Sequence, residues 1–193
     1  MSNTIKLKKG FDINLAGKAE NKISSAPKPE TFAIKPTDFP AITRPKLLVE
    51  EGDVVKAGTP LIYDKMAPDV YYCAPVSGEI AEIKRGEKRK LLELRILADK
   101  EVEYLDFGKH SKSDIKSIES EKLKELMLKS GVWPNIVQRP YGIVANPEDS
   151  PKAIFISAFD THPLAPDYNF IYREEEEAFA AGLEILKKFT AGK

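Results

Sequence analysis

The sequence predicts an α+β chain, with a β-rich sandwich or barrel first and a helical connector and the start of an α/β layer after it. Three observations carry this. Between Lys46 and Leu97, short apolar alternations are separated by glycine turns, as in small closed β structures. From Ser113 to Ser130 the apolar spacing becomes helical. Ala153–Ala158 is then a nearly continuous apolar run, followed after a polar turn by a second helical stretch. Strand, loop and helix in that order begin a parallel α/β layer. The change of pattern places a β domain at residues 1–103 and a helical connector with a partial α/β domain at 104–193.

The elements follow in chain order. Ile5 and Leu7 alternate with lysines before Gly10, giving a short strand and a turn within residues 4–17. Ser24–Glu30 is a loop and Thr31–Ile34 a strand. Pro36, Pro40 and Pro45 keep residues 35–45 extended and irregular, because proline fixes its own φ and restricts the residue before it. Leu47 and Val49 open a strand that turns at Glu51-Gly52-Asp53. Val54–Val55 and Leu61–Tyr63 are strands separated by Ala57-Gly58-Thr59, and Pro75–Gly78 is a third turn. Glu79–Lys84 carries Ile80 and Ile83 inward. Arg85-Gly86-Glu87-Lys88 tips the hairpin into Leu91–Leu97.

In the second half, Leu123, Leu126 and Met127 share one helix face, and Gly131 stands where a helix stops. Pro134, Pro140, Pro147 and Pro151 mark a long loop. Ala153–Ala158 has the pattern of a strand buried on both faces. Arg173–Phe189 is a helix with Phe179, Leu183, Ile185 and Leu186 on its apolar side. Glu174–Glu177 suit the positive end of its dipole. One strand and one helix make no complete Rossmann-like layer. The strand must therefore join another edge, or the sequence is truncated at its C-terminus.

Composition narrows the function classes. The 193 residues carry 30 basic and 30 acidic side chains, and this balance argues against nucleic acid, whose partners carry a basic excess. Cys73 is the single cysteine, which excludes an internal disulfide and a cysteine-only metal or iron–sulfur site within the chain. His110 and His162 are the two histidines, a poor donor set for zinc. No apolar stretch reaches the roughly 20 residues of a membrane span. The expected location is cytoplasmic.

Several candidates for function remain. Asp160, Thr161 and His162 follow the apolar run, and loops at the C-terminal ends of parallel strands bind ligands in α/β proteins. The loop lacks the glycine spacing of a phosphate cradle. Trp133 and Arg139 lie in the proline-marked loop and either line a pocket or interface or pin the loop to the body. Arg85, Lys88 and Arg89 form a basic tip, either a docking patch or a solvated hairpin whose charge protects a sheet edge. Neither a catalytic residue nor a metal ligand is assigned.

Val49-x-Glu51-Gly52-Asp53-x-Val55-x-x-Gly58-x-x-Leu61, with Ala74-Pro75-x-x-Gly78-x-Ile80, resembles the biotinyl/lipoyl hammerhead, a barrel-sandwich hybrid. Glycines permit its tight turns. Carrier domains of this kind hold biotin or lipoate on a hairpin lysine, and Lys65 in Asp64-Lys65-Met66 is the corresponding candidate. Its position differs, since it comes sooner after the Gly-Asp turn and is followed by a longer stretch containing Pro68.

A wider resemblance covers nearly the whole chain. Ile5-Lys6-Leu7-Lys8-Lys9-Gly10-Phe11-Asp12, Val49–Gly58, Ala74–Gly78, Arg85–Arg89, Trp133-Pro134, Gln138-Arg139-Pro140, Pro151–Ala158 and Pro163-Leu164-Ala165-Pro166 resemble, in order, the A subunit of the sodium-translocating NADH:quinone reductase. That family implies a bacterial inner-membrane complex that oxidises NADH, reduces quinone (ubiquinone) and drives sodium transport. It implies a peripheral cytoplasmic component, longer than this chain, that docks on other subunits, interacts with quinone and has no redox centre. NADH, flavins, iron–sulfur centres and quinone would belong to the whole complex, with no cofactor in this chain. The remaining alternatives are a carrier domain modified at Lys65 and a docking module of an Rnf-like electron-transfer complex.

Overall fold

The computed structural model describes residues 6, 8–10, 13, 15–17 and 20–192. The strand expected around Ile5 and Leu7 lies outside the described residues. The first half is built from β1 (Thr31–Ile34), β2 (Pro45–Leu47), β3 (Val54–Val55), β4 (Pro60–Asp64), β5 (Ala67–Cys73), β6 (Gly78–Arg85) and β7 (Leu91–Ala98). One antiparallel sheet has the order β1-β7-β6-β3 and the other β2-β4-β5.

The core lies between the two sheets. Leu61, Ile62, Ile80, Leu94 and Ile96 are fully buried, with Val70 and Tyr72 almost so. Ile80 and Ile83 are three apart, an odd spacing for one strand face. A register shift between Ile80 and Glu82 absorbs the extra residue, so Ile83 packs half-buried against the same core. The turns use glycine as expected: Gly52 and Gly58 have φ of +91° and +96°. A side chain at Gly58 would come within 2.8 Å of the Phe107 ring. Residues of the connector lace onto the sandwich here. The Ala57 N–H donates to the Glu103 carbonyl, and the Leu105 N–H to the Ala57 carbonyl. The buried Ser77 hydroxyl accepts from the Glu103 N–H at 2.9 Å.

The second half departs from expectation in four places. The helix expected over 113–130 is two, α1 (Lys112–Ser117) and α2 (Ser120–Lys129). Ser111 opens α1 with a capping box to Asp114. Ile118 is extended, and Lys188 Nζ takes the carbonyls of Lys116 and Ile118 at 3.0 and 2.6 Å. A distant cation thus satisfies the acceptors that the break leaves open.

The proline-marked loop contains a small hairpin, β8 (Val137–Gln138) and β9 (Ile143–Val144), with a cis Arg139–Pro140 bond at its tip. The third helical segment begins later than Arg173. A short α3 (Tyr168–Tyr172) precedes α4 (Glu176–Leu186), which Lys187–Phe189 extend as a 3-10 turn. Only Glu176 and Glu177 of the acidic run sit in the first turn of α4.

The largest correction concerns Ala153–Ala158. It forms no strand, and Phe155 is 93% exposed. A strand exists by hydrogen bonding to a neighbour, and no strand among the described residues pairs with this segment.

Candidate functional site

The expected site residues fall at four separate places. The basic tip is the β6–β7 turn, where Glu87–Arg89 form a 3-10 turn. Arg85 Nη1 donates to the Arg89 carbonyl at 3.3 Å, and the Gly86 N–H to the Lys90 carbonyl at 2.8 Å. Lys88 and Arg89 take left-handed φ of 52° and 60°, and Arg85, Lys88 and Arg89 all point into solvent. The Arg85 side also borders an open groove of about 850 Å³ formed with Leu47, Leu48, Glu51 and Ile83. There Glu51 Oε1 accepts from the Ile83 N–H at 2.6 Å, tying the β2–β3 turn to β6.

Asp160 and His162 meet directly, with Nδ1 and Oδ1 2.5 Å apart. The His162 backbone N–H donates to the same oxygen at 2.9 Å. That backbone bond, with the imidazole contact, holds the Asp160 carboxyl below its usual range. His162 is 85% exposed at the side chain and Thr161 is exposed. The arrangement is a local Asx turn with an outward-facing imidazole, and the surrounding loop offers no enclosure.

Trp133 and Arg139 part company. Trp133 is buried, its Nε1 donates to the Ala145 carbonyl at 2.7 Å, and its ring meets Phe189 edge-on at 6.0 Å. It joins the β8–β9 hairpin to the end of the last helix. Arg139 is exposed at the hairpin tip. No hydrogen bond or ion pair among the described residues links these four places.

Lys65 stands with Met66 in the two-residue turn between β4 and β5, and both are exposed. Asp64, beside it, is buried and accepts the N–H groups of Thr43, Arg44 and Met66 at 2.7, 3.2 and 3.0 Å. The sequence contained a hint of this in an acidic residue ending an apolar strand. It held no sign that the acid folds inward to fasten residues 43–44 and the hairpin together. Asp64 also borders a cleft of about 240 Å³ between the sandwich and the β8–β9 hairpin, which the sequence did not reveal. Among the described residues no cluster of His, Cys, Asp and Glu is arranged to hold a metal ion.

Comparison with known proteins covers nearly the whole chain. The family model described as NqrA N-terminal barrel-sandwich hybrid domain matches residues 5–99. The model described as NqrA second alpha/beta domain matches residues 118–193. The A subunit of the Na(+)-translocating NADH-quinone reductase of Pseudomonas aeruginosa (strain UCBPP-PA14) is 37% identical over 186 residues, 96% of this chain and 41% of that protein. The corresponding subunits of Tolumonas auensis and Yersinia pestis are 36% and 38% identical over 189 residues, covering 98% of this chain and 42% of each relative. The chain thus spans about two fifths of the length of these relatives.

Proposed function

Because the chain belongs to the NqrA family, the A subunits of the Na(+)-translocating NADH-quinone reductase, as a barrel-sandwich hybrid followed by an α/β domain, we propose that it serves as a docking and quinone-interacting part of such a complex. In this reading it lies on the cytoplasmic face of a bacterial inner membrane, held by protein contacts. No helix among the described residues is long and apolar enough to cross a membrane. It contributes no redox centre of its own. NADH oxidation, electron transfer and sodium transport are properties of the assembled complex.

The single observation that carries this is the in-order match to both NqrA domains at 36–38% identity over nearly all of the chain. Two surface features support docking. Phe155, Phe159 and Leu164 present 93%, 77% and 67% of their area to solvent within one short stretch, more apolar exposure than isolated surface residues account for. The basic tip at Arg85–Arg89 adds a charged contact on the sandwich.

The test is purification of the tagged chain from membranes of a host that makes the complex. Recovery of membrane subunits with sodium-dependent NADH:quinone reductase activity is expected. Recovery of the chain alone would end the docking reading. A flavin bound to the chain at one equivalent would end the claim that it lacks a redox centre.

A further inference from the structure

The β6–β7 hairpin ends in positive charge that the fold leaves unanswered. Its last backbone pair joins Arg85 to Leu91, and the tip runs through Arg85-Gly86-Glu87-Lys88-Arg89-Lys90. Arg85, Lys88, Arg89 and Lys90 are all exposed. None of the four forms an ion pair among the described residues. Lys84, one pair back, sits across from Glu93. Glu87 is the one acid on the tip, so four cations stand against one anion, in a chain whose 30 basic and 30 acidic side chains cancel.

The backbone holds these charges under strain. The Lys90 N–H donates to the Glu87 carbonyl at 3.1 Å. Between them Lys88 and Arg89 both take left-handed φ, 52° and 60°. Two consecutive left-handed residues follow the pattern of a type I′ turn, for which Asn-Gly is the usual choice. A lysine and an arginine are disfavoured there, because the Cβ atom crowds the following carbonyl. Strain of this kind gathers at functional positions, and joining two strands does not require it.

The chemistry of the tip selects its partner. A packed protein interface is anchored by aromatic or apolar side chains and is poor in lysine, and Lys84–Lys90 contains no apolar side chain. A single-stranded nucleic acid needs aromatic platforms, which that stretch also lacks. A small anion needs enclosure, and these side chains stand in water. A layer of anionic lipid head groups needs neither anchor nor enclosure. Such surfaces attract clusters of about four to eight lysines and arginines.

We infer that the β6–β7 tip is a contact for an anionic lipid surface, with Arg85, Lys88, Arg89 and Lys90 facing the head groups. The assignment rests on the membrane-face reading above and names the partner of the charged contact noted there. The contact is electrostatic and orients the sandwich without entering the bilayer.

The test is co-sedimentation of the full chain with vesicles of equal parts phosphatidylglycerol and phosphatidylcholine, against vesicles of phosphatidylcholine alone. Binding to the anionic vesicles only is expected. It should vanish in about 1 M salt, where charges are screened beyond about 3 Å. The informative variant is Lys88→Asn with Arg89→Gly, which removes two charges and gives the turn the residues it prefers. It should bind about 25-fold more weakly, at roughly fivefold per charge, while its thermal midpoint stays level or rises. Lys109→Gln with Lys122→Gln, which removes two exposed charges elsewhere, should bind as the wild type does. Equal binding to both vesicle types, an unchanged turn variant, or equal loss in the two double variants would overturn the lipid contact. Loss of membrane subunits from the tagged turn variant purified in detergent would overturn it too, by assigning the tip to a protein partner. Absent vesicle binding with subunit recovery intact would overturn the lipid contact and leave the docking reading standing.

Discussion

Tyr72 and Cys73 are neighbours on β5 and carry the clearest pH signature in the chain. Burial pushes the Cys73 thiol from an ordinary 9.0 up to about 11. Burial and Asp64 push the Tyr72 phenol from 10.0 up to about 12. Each binds its proton more tightly folded than unfolded. The stability they contribute is complete below pH 9 and is lost as pH rises through 11 and 12. The urea midpoint should therefore fall between pH 9 and pH 12, and Tyr72→Phe should flatten the upper part of that fall. A variant curve that tracks the wild type would show that Tyr72 contributes nothing to it. Neither residue's role could be read from the sequence. Tyr71-Tyr72-Cys73 is an apolar triplet, and only the pairing of Ile62 with Tyr72 decides which ring faces inward.

At the scale of elements, the turns and their glycines were legible and the helices less so. Gly52, Gly58 and Gly78 were expected at turns, and all three have positive φ. They do not carry equal weight. A side chain at Gly78, where φ is +152°, would stand 2.0 Å from the Leu97 carbonyl oxygen, at the start of the β6–β7 pairing. Gly52 faces open space. Gly78→Ala should cost about 3 kcal/mol or more, by clash added to strain. Gly52→Ala should cost about 1 kcal/mol, by left-handed strain alone. Urea unfolding measures both, and equal losses would mean that the β6–β7 contact yields. The split between α1 and α2 was hidden because Ile118 fits the helical apolar period. What stabilises the break is Lys188, seventy residues away along the chain.

At the scale of the molecule, the two halves meet through few but specific contacts. Trp133 reaches Ala145 and Phe189, and Gly131 leaves space for Cys73, whose sulfur would lie 2.9 Å from any added side chain. The cleft at Tyr72 exists only because this packing sets the β8–β9 hairpin across from the sandwich. The exposed apolar segment around Phe155 has no such partner in the described residues. Phe155→Lys should leave the unfolding free energy within about 0.5 kcal/mol, as expected for a solvated site. The same change should reduce the recovery of membrane subunits with the tagged chain. A large loss of stability would place Phe155 in a packed core instead.

The sequence by itself determined the barrel-sandwich half, its turn positions, the family and the exclusion of cysteine-built metal sites. These follow from local spacing and composition, which a chain carries wherever it is placed. Tertiary structure decided the fate of Ala153–Ala158, the interior place of Trp133, the inward turn of Asp64 and the burial of Tyr72. Each depends on whether a partner distant in sequence stands opposite. An apolar run becomes a strand only when another strand pairs with it. A polar side chain turns inward only when the fold sets partners there to receive it.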